Sequence, residues 1–183
     1  MPYREVELVE RAQNGDRAAF SDLYERYQQT VHTFIYYRVS DQSTAEELTA
    51  KVFVRMVEKI EQYRHRGKPF LAWLYTIARN LLTDYYRQGG MITLLPLDEK
   101  LSANINNPVA VTEKKLLADC LRLALQHLTA EQQDVIIGKF IENRSNADIA
   151  DLMGKNVGSI KSLQHRALAA LRRAIAKEGC YEP

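Results

Sequence analysis

Apolar side chains recur along most of this chain at intervals of three and four residues, the period of a helix with one buried face. Residues 3–13 predict a short helix with Val6, Val9 and Ala12 or Leu8 inside, stopped by Asn14, Gly15 and Asp16. Residues 17–39 predict a longer one with Phe20, Leu23, Tyr24, Tyr27, Val31, Phe34 and Ile35 facing in, broken by Ser40, Asp41 and Gln42. Ser43 and Glu46 have the spacing of a capping box, in which each side chain satisfies a backbone N–H at a helix start. That helix runs to about residue 60 with Leu48, Val52, Phe53, Met56, Val57 and Ile60 inside. After the loop Tyr63–Lys68, Pro69 suits a first helical position. Residues 70–87 follow as a helix that holds Trp73, with Phe70, Trp73, Leu74, Ile77, Leu81 and Leu82 on one stripe.

The period then fails. Gly89 and Gly90 end the helix, and residues 91–108 show no repeat and several turn formers, Asn104, Asn106, Asn107 and Pro108. Residues 89–111 are therefore expected to be a linker, unusually apolar for one. Beyond it, residues 112–127 predict a helix, and Thr129 with Gln132 forms a second capping box opening a helix to about residue 142. Residues 144–176 predict a short helix, a turn and a longer helix. Ser145 or Asn146 can cap the first, Ile149, Leu152 and Met153 form its apolar face, and Gly154 ends it. The second, from about Val157, gathers Ile160, Leu163, Ala167, Leu168, Leu171 and Ile175 on one side, with Ser159, Lys161, Ser162, His165, Arg166, Arg172 and Arg173 on the other. A short helix, a glycine turn and an amphipathic second helix make a helix-turn-helix.

With 183 residues, 5 Pro, 8 Gly and little strand-like alternation, the expected fold is all-α. It has an N-terminal helical bundle (1–88), the linker (89–111) and a C-terminal four-helix domain with the helix-turn-helix (112–183). No apolar run approaches the ~20 residues that cross a bilayer, and the N-terminus lacks a signal-peptide pattern. Cys120 and Cys180 form no metal or disulfide framework. Cys120, among apolar residues, is expected to be a small core filler, and a reducing cytoplasm fits.

Net charge is only +2, but its distribution is uneven. Residues 1–61 carry eight Lys or Arg and eleven Asp or Glu; residues 62–88 carry five basic residues and one acid, Asp84. From Leu152 to Lys177 there are six basic residues and no acid. An acidic front with two basic regions suggests a protein partner at one place and nucleic acid at two others. A helix with a wholly basic face can enter a major groove, meeting phosphates by charge and base edges through its N-terminal residues. The region 63–87 interleaves cations with rings, which is how proteins hold unpaired strands. The same rings at helical spacing also fit plain core packing; the loop 63–68, without an acid, is harder to explain that way.

An enzyme is not indicated. His32, His65, His127 and His165 are scattered without metal-ligand spacing, no nucleophile–base motif or phosphate-binding glycine loop occurs, and no cofactor is expected. A helix-turn-helix regulator whose N-terminal helices sense a ligand or dimerise is the alternative, but a sensor domain has no need of the aromatic, basic 63–87 stretch.

Taken in order, LVERAQNGDRAAFSDLYERY, TAEELTAKVFVRM, FLAWLYTIARNLLTDYYR, LTAEQQDVI and NADIADLMGKNVGSIKSLQHRALAALRR resemble the extracytoplasmic-function sigma factors of bacterial RNA polymerase, over nearly the whole chain. The resemblance implies an N-terminal domain that binds the β′ clamp of core RNA polymerase and recognises and opens the −10 element. It implies a C-terminal domain that reads the −35 element and meets the β flap, and an anti-sigma partner. By the same resemblance, polymerase binding falls on Glu46, Glu47, Leu48, Val52, Phe53 and Arg55. The −10 element falls to Tyr63, Arg64, Arg66, Lys68, Phe70, Trp73, Tyr75, Arg79 and Asn80. The −35 element falls to Gly158, Ser159, Lys161, Ser162, His165 and Arg166. Two departures from the family pattern stand out. Ala50 and Lys51 occupy the place of an acid before Val52 and Phe53, and Leu163 and Gln164 replace an Arg and an apolar residue in the recognition helix.

Overall fold

The computed structural model describes residues 5–39, 41–90 and 108–179, the side chains of 108–115 excepted. The described residues include eight α-helices: α1 (Glu5–Gln13), α2 (Arg17–Tyr36), α3 (Gln42–Lys59), α4 (Phe70–Arg87), α5 (Pro108–Leu125), α6 (Ala130–Ile136), α7 (Asn146–Met153) and α8 (Val157–Glu178). Local chemistry sets their starts. Asp16 caps α2 by accepting from the N–H groups of Ala18 and Ala19. Asp41, not Ser43, caps α3, because its carboxylate reaches both the N–H and the hydroxyl of Thr44 at 2.9 and 2.8 Å and so starts the helix earlier. Pro69 precedes α4 as its cap residue rather than its first helical residue. Thr129 and Gln132 form the expected capping box on α6.

α1 to α4 share one core, in which Leu8, Leu23, Val31, Phe34, Ile35, Val52, Met56, Phe70 and Leu74 are buried. α5, α6 and α8 enclose a second around Leu125, Ile136, Ile137 and Ala167. α6, α7 and α8 enclose a third around Val135, Ile149, Ile160 and Leu163. These units touch: Leu152 of α7 packs on the first core, and Tyr37, just after α2, packs on the second.

Several expectations are corrected. Val6, Tyr24 and Val57 are exposed, not inward, because each α-helix needs only a narrow apolar stripe and the extra positions fall outside it. α2 ends at Tyr36 rather than near 39, although Val39 is buried. α5 begins at Pro108, four residues before the expected start, as proline at a helix N-terminus permits. α6 passes into a π-helical turn, Ile137–Ile141, that periodicity does not reveal. Cys120 is buried but is disulfide-bonded rather than a core-filling thiol. Cys180 and linker residues 91–107 lie outside the described residues.

Candidate nucleic-acid interface

The loop between the 3-10 turn Ile60–Gln62 and α4 presents Arg64, Arg66 and Lys68 to solvent, with Gly67 at φ +72° turning the chain. Beneath it lies an aromatic cluster: Tyr63 meets Phe70 at 5.1 Å and Trp73 at 5.0 Å between ring centroids, and Phe70 meets Trp73 at 5.3 Å. Phe70 is fully buried, whereas Tyr63 and Trp73 are half-exposed. The rings divide by residue. Phe70 is core and cannot stack on a base. Tyr63 and Trp73 each keep an accessible part beside the cationic loop, as strand capture requires. Asn80 is exposed further along α4.

Tyr75 and Arg79 have a different environment. The Tyr75 ring is buried and stacks on Phe34 at 4.1 Å, and its hydroxyl donates to Glu142 at 3.0 Å. Burial, then the Glu142 charge, pushes the Tyr75 hydroxyl far above its ordinary range, so it remains a donor. Arg79 pairs with Asp134 of α6 at 2.7 Å, and the second oxygen of the same carboxylate holds Arg38 at 2.7 Å. Arg38 is 4% exposed and lies 3.8 Å over the Phe34 ring. Burial lowers the Arg38 pKa and Asp134 opposes that shift. Arg122 of α5, also buried, donates to the Val39 carbonyl, and Tyr86 donates to that of Arg38. Tyr75 is thus unavailable to a strand in this arrangement, and Arg79 is engaged, because the C-terminal domain covers this end of α4. The spacing of residues 70–87 carries no sign of that cover. A groove of about 600 Å³ remains between the domains, with Arg64, Arg66, Lys68 and Trp73 on one wall and Glu131, Asp134 and Met153 on the other.

The helix-turn-helix forms as its sequence predicts. Ser145 and Asp148 make a capping box on α7, Gly154 ends it at φ +65°, and Asn156 caps α8 by accepting from the Ser159 N–H at 2.8 Å. Ile160, Leu163 and Ala167 are buried, and Gln164 is half-buried at the edge of the stripe. Gly158, Ser159, Lys161, Ser162, His165 and Arg166 are all exposed along the first turns of α8. The N-terminal face of the helix is polar and exposed, with Arg172 and Arg173 exposed further along.

On α3, Glu46, Glu47 and Arg55 are exposed, but Leu48, Val52 and Phe53 are buried. Val52 is fully buried and Leu48 nearly so, and these two support the face from below, a correction that follows from their place on the inner stripe; Phe53 keeps only an edge on the surface. Lys51 pairs with Glu47 at 2.6 Å, and Arg55 with Glu58 at 2.9 Å. Sequence periodicity missed the exposed apolar residues beside them, Tyr24, Val54 and Val57, which with Gln28, His32 and Phe53 line an open groove of about 410 Å³ between α2 and α3. Val54 lies off the core stripe, and that was the available signal. Among the described residues no cluster of His, Cys, Asp or Glu could hold a metal ion, and no helix is long and apolar enough to cross a membrane.

Sigma-70 region 2 matches residues 23–90, and Sigma-70, region 4 matches residues 118–171. The ECF RNA polymerase sigma factor BldN of Streptomyces coelicolor is 40% identical over 174 residues, covering 94% of this chain and 66% of its own length. The chain therefore spans just under two thirds of that relative. Among solved structures, CnrH in complex with the cytosolic domain of CnrY shares the fold at TM-score 0.67 and 20% identity, covering 94% of this chain and 97% of that one. The sigma factor RpoE in complex with the anti-sigma factor NepR from Bartonella quintana does so at TM-score 0.57 and 22% identity, covering 86% and 96%.

Proposed function

The chain belongs to the extracytoplasmic-function sigma factors of the sigma-70 family, and we propose that it binds core RNA polymerase, recognises the −10 and −35 promoter elements and directs DNA opening and transcription initiation. The observation that carries this reading is the presence of two exposed cationic surfaces on separately cored units. One has accessible rings beside it (Tyr63 and Trp73); the other is a polar helix start (Gly158 to Arg166). The first suits a melted strand and the second suits duplex.

In this reading residues 1–88 act as sigma domain 2, 89–111 as the linker and 112–183 as sigma domain 4. Tyr63, Arg64, Arg66, Lys68, Trp73 and Asn80 take the −10 strand, joined by Tyr75 and Arg79 once the domains part. Gly158, Ser159, Lys161, Ser162, His165 and Arg166 meet the −35 duplex. Glu46, Glu47 and Arg55, with the apolar groove of Tyr24, Val54 and Val57, dock the β′ clamp; domain 4 meets the β flap. The Lys51–Glu47 pair supports a local answer to the family's missing acid: the lysine is matched within the same helix. An anti-sigma factor is a further partner, supported by the solved complex of RpoE with NepR. The site of action is the cytoplasm, with the polymerase.

Run-off transcription with core polymerase on a genomic promoter library tests this. Transcripts that begin downstream of a shared two-part motif are expected, together with co-elution of the protein and core. The absence of transcripts with every core tried would favour a helix-turn-helix regulator that works without polymerase.

A further inference from the structure

The loop 63–69 that faces the proposed −10 strand has little of its own to hold it. Arg64, Arg66 and Lys68 are exposed cations, His65 is exposed between them, no acid lies among them, and Gly67 turns the chain in the left-handed region. Within the loop, the Arg64 guanidinium folds back onto the carbonyls of Glu61 and Tyr63 at 2.7 and 2.9 Å. The ends of the loop, by contrast, are tied to α1. The Gln13 side-chain amide donates both protons at the entry, to the carbonyls of Ile60 and Tyr63, at 2.8 and 2.9 Å. At the exit, the Glu5 carboxylate accepts from the Phe70 N–H at 2.8 Å, which is the start of α4, where Pro69 supplies no side-chain cap. The other Glu5 oxygen accepts from the Tyr27 hydroxyl. Leu8, Val9 and Ala12 bury α1 in the core, so both anchors sit on a fixed support.

We infer that α1 belongs to the strand-capturing apparatus, with Gln13 and Glu5 as positioning residues that fix the two ends of loop 63–69. The inference rests on the assignment of that loop to the −10 strand. α1 precedes the region 2 match at 23–90, so the matched segment alone does not account for how the loop is held. The physical reason is preorganisation: a loop ordered beforehand loses less entropy when a base is captured, and it presents the captured base with one geometry instead of many. Gln is suited to the entry because only a side chain with two donors can serve two carbonyls at once. A cavity of about 140 Å³ lies between the elements, walled by Glu5, Glu10 and Gln13 from α1 and by Tyr63, His65 and Phe70. Displacing the loop would change the shape of that space directly.

The test uses holoenzyme reconstituted with the full chain on a promoter found by run-off. Gln13→Met keeps the shape and removes the donors; Glu5→Met does the same for the acceptor. Gln13→Lys and Glu5→Gln restore a donor and an acceptor. Each is scored for initiation on duplex promoter, for preference among the four bases at each −10 position, for −35 duplex binding and for core affinity. The Met variants are expected to lose about tenfold in initiation, the factor that one to two net hydrogen bonds supply, and to flatten −10 base preference. Their −35 and core affinities should stay within about twofold, a split that a general loss of folding would not produce, and the restoring variants should recover base preference. If Gln13→Met does not fold, Gln13→Lys against Gln13→Glu gives the same contrast, donors kept against acceptors forced onto two carbonyls. Folded variants that keep wild-type base preference would overturn the inference alone. A wild-type protein that directs no transcription would overturn the functional reading on which it stands.

Discussion

Arg79 of the N-terminal domain and Asp134 of the C-terminal domain are joined at 2.7 Å, with side chains 38% and 10% exposed. Because the same carboxylate also holds the buried Arg38, one acid of α6 secures two cations of the opposite domain. Breaking a buried pair by removing one partner costs ~3–5 kcal/mol, since the other charge is left unmatched. Asp134→Ala is therefore expected to part the domains of the free protein, raising its radius of gyration in small-angle scattering. It should also tighten binding of a single-stranded −10 oligonucleotide by releasing Arg79. An unchanged scattering profile with unchanged affinity would show that this carboxylate does not hold the domains together.

Gly154 ends α7 in the left-handed region, where an L side chain is strained, and a Cβ built there would lie 2.5 Å from the Lys68 ammonium. Lys68 is flexible and can move, so the backbone dominates the cost. Gly154→Ala should destabilise by ~1 kcal/mol, a fall of roughly 2–4 °C in Tm for a chain of this size. A melting temperature equal to that of the wild type would refute the requirement for glycine.

Much of this was legible because helical periodicity and capping residues act locally. The span 70–87, the Thr129 box, the polar cap of α7, the Gly154 stop and the exposed face of α8 all follow from neighbours a few positions apart. What was not legible depends on residues far apart in sequence. Arg79 looked free until Asp134, 55 positions on, was placed beside it. Leu48, Val52 and Phe53 matched a contact motif, yet the same spacing buries them. Gln13 carried no signal, since the carbonyls it serves lie 47 and 50 positions away.

Trp73 separates packing from strand capture. It is half-buried against Tyr63 and Phe70, so Trp73→Ala should cost less than the ~3–5 kcal/mol typical of a fully buried ring. Stacking on a base is worth ~1–3 kcal/mol, so binding to a pre-melted −10 template should fall by roughly tenfold even where the variant is folded. Trp73→Phe keeps a ring and should sit between. Thermal denaturation run beside template binding distinguishes the two losses, and a variant unaffected in both would remove Trp73 from the −10 site.

Asp148 ties stability to pH. The Ser145 hydroxyl and N–H hold its carboxylate below the ordinary value of 3.8. A carboxylate with a lowered folded pKa stabilises above its unfolded value, and that contribution disappears as pH falls through the folded one. The Tm difference between wild type and Asp148→Asn should therefore be constant from neutral pH down to about 4 and shrink below it. A difference independent of pH would assign the cap to the hydroxyl alone.

Arg166 tests whether α8 meets phosphate. It is exposed, and its hydrogen bond among the described residues is a long one of 3.5 Å to the Ser162 carbonyl, so Arg166→Ala should leave the melting temperature unchanged. Neutralising a phosphate releases a counterion, and log K against log salt loses roughly one unit of slope for each such contact removed. Binding of the −35 duplex should weaken, with a slope shallower by about one, and by the same factor on related −35 sequences, since phosphate contacts carry no base identity. If Arg166 instead reads a base edge, the loss will be confined to one position of the element, at ~1–3 kcal/mol. Duplex titrations at several salt concentrations on two or three −35 variants decide between these, and an unchanged affinity on every duplex would place Arg166 outside the interface.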